Sequence, residues 1–356
     1  MSEGHNNSTA AINLPKVIFG TSSLGNLYQA IDNDVKKEII RECIVNSAGT
    51  PVFDTAGKYG AGLALETLGR YLDALNVDPK SVIISNKLGW YRIPLTTQEP
   101  TFEKGVWMDL ENDAVQKISY DGILECFEQG NRLLGNYPAQ MVSVHDPDEY
   151  LLAAEDADDR GKRYMDILNA YKALLELKES GKVQSVGIGS KDWKVIQSIC
   201  ADVKLDWVMV ANSLTVHDHP EELVAFIARL NREGVTVINS AVFNGGFLIG
   251  SDFYNYQKVN IHTTIGSDLY IWRYKFYAIC KKFGITLAQA CADFGFNIPG
   301  VTSIALNTTK PEKIKANIAM LDNKVPKEFW EAMQAAKLIN LPLEYLNKED
   351  NANIDL

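Results

Sequence analysis

The sequence has no CxxC pair. Its five cysteines, Cys43, Cys126, Cys200, Cys280 and Cys291, are odd in number and widely spaced. That excludes a disulfide scaffold and reads as reduced, buried thiols in a cytoplasmic protein. No apolar run approaches the roughly 20 residues needed to cross a bilayer. The opening MSEGHNNSTAA has neither the basic nor the apolar region of a secretory signal. A basic face is missing too: 35 Lys and Arg stand against 45 Asp and Glu, a net charge of −10. General affinity for the phosphate backbone of nucleic acid is therefore excluded. What remains is a cytoplasmic protein whose partner is a small molecule, with no nucleic acid or membrane partner, working as a monomer or homodimer. An acidic surface still admits an anionic cofactor where a few lysines and backbone amides are placed locally.

What is present is a regular alternation. A chain of 356 residues is long enough for two ordinary domains or one large α/β barrel. Short β-rich runs occur at 17–21, 52–54, 82–87, 141–145, 184–190, 207–211, 235–240 and 302–306. Between them lie helical patterns with apolar residues three and four apart, as in Val35–Val45, Leu63–Leu75, Ile123–Leu134, Ile167–Leu177, Leu223–Leu230 and Leu287–Phe294. Gly181 and Gly234 read as helix stops. Apolar strands alternating with helices imply a parallel sheet covered on both faces. With eight units and no linker between them, one closed (β/α)8 barrel of the TIM type over residues 15–340 is favoured, flanked by tails at 1–14 and 341–356. The rival, a doubly wound open sheet, normally follows its first strand with GxGxxG, whereas this chain has Gly-Thr-Ser-Ser-Leu-Gly at 20–25.

In such a barrel the chemistry sits at the carboxyl ends of the strands. The connections 88–120, 146–164 and 241–270 are far longer than usual βα loops and are expected to form a rim over the site. The first carries Trp90, Tyr91, Arg92, Phe102 and Trp107, rings and a cation suited to a sugar or aromatic face. At the strand ends stand Asp54, followed by Tyr59, then Lys87 and His145. Singly, each has a plainer explanation: a turn cap, a solvated cation, a satisfied core histidine. Together they make an acid–base device. A phenol near pKa 10 is a poor proton carrier at neutral pH, a neighbouring ammonium favours its phenolate, and a carboxylate holds that ammonium charged and in place. His145 can then donate a hydrogen bond that orients the reacting oxygen. Since no side chain supplies hydride, such a device implies a nicotinamide cofactor.

The pattern Asp54-Thr-Ala-x-x-Tyr59-Gly60, with Glu66, Leu68 and Gly69 behind it and Lys87 and His145 ahead, resembles the aldo-keto reductase superfamily over nearly the whole barrel, from Phe19 to Asn317. The resemblance implies a barrel that binds NAD or NADP without a Rossmann domain, and a catalytic set of Asp54, Tyr59, Lys87 and His145. The segments Tyr120-Asp121-Gly122-Ile123, His145-Asp146-Pro147-Asp148 and Val242-Phe243-Asn244-Gly245-Gly246 are similar to the aldose 1-dehydrogenase branch, which includes L-fucose and D-threo-aldose dehydrogenases and is close to pyridoxal 4-dehydrogenase. By position, the resemblance gives cofactor contacts at Gly20, Thr21, Asp54, Ser190, Asn212, Ser240, Phe243, Asn244, Gly246, Leu248, Thr308, Lys310, Lys313 and Asn317. Substrate contacts are expected from Tyr59, Trp90, Arg92 and His145. Two positions depart from the family's habit: Ser240 stands where many relatives stack an aromatic ring on the nicotinamide, and the neutral Asn307 stands where NADP-specific relatives are basic. The activity implied is oxidation of an aldose such as L-fucose, L-galactose or D-arabinose at C1 to its lactone. Alternatives are NADPH-dependent reduction of aldehydes or ketones, pyridoxal oxidation, and a cofactor-binding regulatory subunit. His217-Asp218-His219 has no partner motif and is read as ordinary loop, without a metal. Trp272–Tyr277 is read as covering the barrel.

Overall fold

A β-rich run bounded by helices needs a partner on both edges, and eight such runs satisfy one another by closing into a ring. In the computed structural model, which describes residues 13–255 and 257–346, the ring is complete. It consists of β1 (Val17–Gly20), β2 (Val52–Ala56), β3 (Ile83–Leu88), β4 (Met141–His145), β5 (Ser185–Ser190), β6 (Trp207–Ala211), β7 (Thr236–Ser240) and β8 (Val301–Leu306). Each strand runs parallel to the next, and β8 returns to β1 with Val17 opposite Ile304. The eight runs read from the sequence are these eight strands, and the fold is the (β/α)8 barrel. Gly181 and Gly234 end their helices with φ of 71° and 77°, a left-handed turn that costs glycine nothing.

Parity sorts the strand residues. Ile18, Val52, Met141, Trp207, Met209 and Ile238 form a small apolar cluster of their own, apart from the large core between strands and helices. Side chains alternate along a strand, so residues two or four positions further on share that inner face. Counting on from Ile18, Val52, Met141 and Ile238 gives Gly20, Asp54, His145 and Ser240; from Ile83, packed on the same cluster, it gives Ser85 and Lys87. An apolar layer thus plugs the barrel low down, and a polar layer forms at the carboxyl ends. Trp207 fills the plug because β5 offers Gly187 beside it; a Cβ there would lie 2.1 Å from the indole.

The expected rim is more ordered than a set of loops. Within 88–120, Trp90–Pro94 pairs antiparallel with Asn112–Gln116. Within 146–164, a short helix at Pro147–Leu152 is followed by a long one that already begins at Ala157, capped by the Asp156 side chain on the Asp159 amide. Within 241–270 lie a tight 3₁₀ segment at Asn244–Ile249, a small hairpin and the start of a helix at Thr264–Phe283. Residues 1–12 and 347–356 of the expected tails lie outside the described residues. The inner ends of both are packed: Leu14 joins the barrel plug, and Leu341 and Leu346 join the main core.

Gly187→Ala is expected to lower stability by about 1–3 kcal/mol, because the indole or a strand must shift to admit a methyl group. Urea unfolding followed by tryptophan fluorescence measures it; an unchanged midpoint would mean that the plug is loosely packed.

Candidate active site

β2 carries Asp54, which is 4% exposed, at its centre, and β3 places Lys87 near it. The Lys87 ammonium donates to Asp54 Oδ2 at 2.5 Å, and Ser85 Oγ donates to Oδ1 at 3.2 Å. The backbone of Asp54 is held as well, its carbonyl accepting from both the amide and the hydroxyl of Thr21 at 3.0 Å. The same ammonium lies 4.8 Å from the centre of the Tyr59 ring, and the His145 ring meets Tyr59 edge-on at 5.5 Å. Tyr59 is carried by the tight turn after β2. Gly60 has φ of 60°, and a Cβ on it would sit 2.3 Å from the Gly25 carbonyl oxygen, so the turn is pressed against the loop after β1. The four residues read from the sequence therefore meet at one end of the barrel.

The sequence reading missed a second group of charges beside them. Lys58, read as an unspecified position of the motif, is 2% exposed and donates to three carboxylates: Glu103 at 2.8 Å, Asp146 at 3.2 Å and Glu149 at 2.6 Å. Lys191, next to Ser190, pairs with Asp146 at 3.5 Å and with Glu149. Asp146 Oδ2 also lies 3.6 Å from His145 Nε2. Burial opposes ionisation of Asp146, but His145, Lys58 and Lys191 outweigh it and hold the carboxyl below its ordinary range. For His145 burial dominates: it pushes the imidazole well below its ordinary pKa, helped by Lys87, Lys58 and Lys191 against the pull of Asp146, so the ring is neutral at pH 7. Burial, and then the Asp146 charge, raise Asp148. Glu103 also accepts from Trp107 Nε1 at 2.7 Å, and the Trp107 ring lies 5.8 Å from that of Tyr59. The 88–120 insert is thus docked over the tyrosine by a charge and a ring.

The expected cofactor positions line the strand ends in an arc. Gly20, Thr308 and Asn317 border a small hollow of ≈ 20 Å³ together with Asn307. Asn307 bonds Ser23 at 2.7 Å and Ser22 at 3.0 Å, so it clamps the loop after β1 to the end of β8. Lys310 and Lys313 are exposed beside it. Ser190 donates to Asp148 at 2.6 Å. Asn212, with φ of 62°, is 4% exposed and its Oδ1 has no partner among the described residues. A buried, unpartnered amide at a strand end suits a ligand carboxamide. At the end of β7 Ser240 bonds the Val210 carbonyl; beyond it Phe243 is half-buried and Gly246 adopts φ of 93°. Two side chains in this stretch face inward instead: Leu248 lies in the core, and Asn244 is buried between the Asn212 carbonyl and Asn255. Asn244 Oδ1, like Asn212 Oδ1, has no partner among the described residues. Arg273, which the sequence reading passed over, donates to the carbonyls of Phe247 and Ser251 and so staples this segment.

Among the expected substrate residues, Trp90 packs against Phe102 and lies under the Lys58 ammonium. Arg92 braces the tyrosine turn from behind: its Nε donates to the Ala61 carbonyl at 2.7 Å and its Nη1 pairs with Glu66 at 2.9 Å, while its buried Nη2 has no partner among the described residues. His217 contacts the Tyr254 hydroxyl, and His219 is held by the Thr215 carbonyl and the Asn340 amide. No metal-binding group of His, Cys, Asp or Glu occurs among the described residues. No helix among them is long and apolar enough to cross a membrane.

The burial of His145 has a pH signature. Its native pKa lies below the unfolded value of about 6.5, so the unfolded chain holds the extra proton in that window and stability falls as pH drops below about 6.5. Between pH 7.5 and 5.5, His145→Gln is expected to lose about 1 kcal/mol less stability than the unsubstituted protein. Equal losses in urea titrations at the two pH values would show that the imidazole is not the group responsible.

The comparisons agree with the fold. The chain is 25% identical over 336 residues to pyridoxal 4-dehydrogenase of Microbacterium luteolum, covering 90% of this chain and 93% of that protein. It is 23% identical over 348 residues to D-threo-aldose 1-dehydrogenase of a Pseudomonas species, covering 94% and 98%. In fold it is similar to the glycerol dehydrogenase of Gluconobacter oxydans, with a TM-score of 0.68 at 15% identity over 94% of this chain and 95% of that one. An aldo-keto reductase of Bacillus halodurans gives 0.64 at 19% over 91% and 92%. The model of the aldo/keto reductase family matches residues 16–337, and the chain belongs to that family of oxidoreductases, which use NAD or NADP.

Proposed function

We propose that this protein is an NAD(P)-dependent dehydrogenase that oxidises the ring form of an aldose at C1 to the lactone. The observation that carries the reading is the buried Lys87 ammonium, bonded to Asp54 and lying against the Tyr59 ring. An ammonium so placed favours the phenolate, and Asp54 fixes the ammonium in position. Tyr59 then takes the proton from the C1 hydroxyl as general base, and its hydroxyl returns the proton to solvent. His145, neutral through burial, donates a hydrogen bond to the same oxygen and carries no charge of its own into the step. When bound, the nicotinamide dinucleotide accepts the hydride that leaves C1.

Asn212 and Ser190 are the candidates to hold the nicotinamide carboxamide. The Phe243–Gly246 turn suits the pyrophosphate, and Gly20, Thr21, Thr308, Lys310, Lys313 and Asn317 suit the far nucleotide. Trp90 and Trp107 form the wall against which a sugar face packs. Pyridoxal is a second candidate, supported by the 25% identity to pyridoxal 4-dehydrogenase. The two substrates share chemistry: pyridoxal carries a hydroxymethyl group beside its aldehyde and closes to a cyclic hemiacetal, as an aldose does. In either case the bond oxidised is a C–H on a carbon with two oxygens.

The test is absorbance of reduced cofactor while the purified protein meets L-fucose, L-galactose, D-arabinose and pyridoxal, with NAD and NADP separately. Turnover with at least one is expected, falling by 10²-fold or more in Tyr59→Phe, in line with loss of a general base. Inertness towards all four, with NADPH consumed by simple aldehydes, would make the protein a reductase instead.

A further inference from the structure

Asp146 follows His145 directly, and successive strand residues normally point to opposite faces. Here Asp146 adopts φ of 45° and ψ of 54°, and its amide still donates to the Gly189 carbonyl at 3.0 Å. That left-handed turn brings its carboxylate round to the imidazole of the residue before it, with Oδ2 3.6 Å from Nε2. The separation is too long for a hydrogen bond, so the carboxylate leaves Nε2 free to address a substrate oxygen.

The two carboxylate oxygens have different surroundings. Oδ2 takes Lys58 at 3.2 Å and lies 3.5 Å from Lys191. Oδ1 accepts no hydrogen bond from any described residue, although Asp146 is only 6% exposed, and it is not among the atoms sealed from solvent. A fixed, ionised oxygen with solvent contact and an empty coordination, one residue from the group that orients the reacting oxygen, is a receptor for a hydroxyl donor. Lys58 and Lys191 keep it ionised, and the strained backbone keeps it aimed.

We propose that Asp146 Oδ1 accepts a hydrogen bond from a substrate hydroxyl on the carbon next to the reacting one, the C2 hydroxyl of an aldose. Resting on the reading of the site given above, this makes Asp146 a specificity-determining residue that separates 2-hydroxy substrates from simple aldehydes and 2-deoxy sugars. Such a site disfavours the analogue that lacks the hydroxyl, because Oδ1 then receives no donor from the substrate.

The test compares pairs that differ only in that hydroxyl, in both directions of reaction: D-arabinose against 2-deoxy-D-ribose by oxidation, and glyceraldehyde against 3-hydroxypropanal by reduction. The unsubstituted protein is expected to prefer the 2-hydroxy member by roughly 10- to 100-fold in kcat/KM, the worth of a hydrogen bond to a charged acceptor. Asp146→Asn, which keeps the shape and removes the charge, reduces that preference to a few-fold; Asp146→Ser serves if the amide variant does not fold. Quenching of tryptophan fluorescence by cofactor checks that the variants still bind it. Equal rates on both members, or a preference that survives in Asp146→Asn, overturns the proposal. Aldoses inert, but glyceraldehyde favoured in an Asp146-dependent way, would sink aldose oxidation and leave the hydroxyl receptor standing. Aldoses oxidised with no regard to C2 would do the reverse, and inertness in both directions removes both.

Discussion

A closed ring of eight strands gives every strand residue one of two directions, in or out, and the site depends on that constraint. Asp54 shares a face with Val52, Lys87 with Ile83, and His145 with Met141, so the register that packs the apolar plug also turns the polar groups into the barrel mouth. A slip of one residue in β3 would turn Asn86 into the barrel mouth and send Lys87 out among the helices. The plug and the site are two layers of one packing problem. It is solved at the lower layer by apolar volume, including the indole of Trp207 set against a glycine.

The mouth then holds charge that is expensive to bury. Asp54 with Lys87, and Lys58 with Asp146, sit almost out of water, while Glu103 and Glu149 reach Lys58 from the half-exposed rim. Pairs of this kind seldom stabilise a fold more than apolar residues of the same size would. They are tolerated because each donor of Lys58 has an acceptor, and their return is geometric. Lys58 ties the tyrosine turn, the 88–120 insert and the loop after β4 to one nitrogen atom. Arg92 does similar work behind the turn, and Trp107 closes the front. A proton carrier held on three sides loses little entropy when substrate arrives, which is what preorganisation means at this site.

This division explains what was legible in the sequence. Strand periodicity and a short motif are local, so the eight strands and the quartet Asp54, Tyr59, Lys87 and His145 could be read directly. The partners of Lys58 lie 45 and more residues away, and nothing near it in sequence says whether it is solvated or spent on three carboxylates. The bonds of Arg92 were hidden for the same reason: nothing in an aromatic-rich segment says that its cation braces Ala61 and Glu66. The hairpin inside the insert was hidden because Thr, Glu, Pro and Gly dominate its tip and its strands alternate only weakly. The start of the Thr264–Phe283 helix was hidden by rings interleaved with charges, which blur a three- to four-residue period.

The charge pattern also bears on direction and substrate. Counting Lys58 and Lys191 against Asp146, Glu149 and Glu103 leaves one negative charge in excess beside His145, while the Asp54–Lys87 pair cancels. On the reading proposed above, a neutral imidazole offers its proton as a hydrogen bond and proton transfer in either direction falls to Tyr59. The excess charge also disfavours an anionic group near the reacting carbon and favours one that donates hydrogen bonds. A polyhydroxylated, uncharged ring meets both conditions, and a simple aldehyde meets only the first. On that reading, the same carboxylates that fasten the walls of the mouth also select the polarity of the substrate.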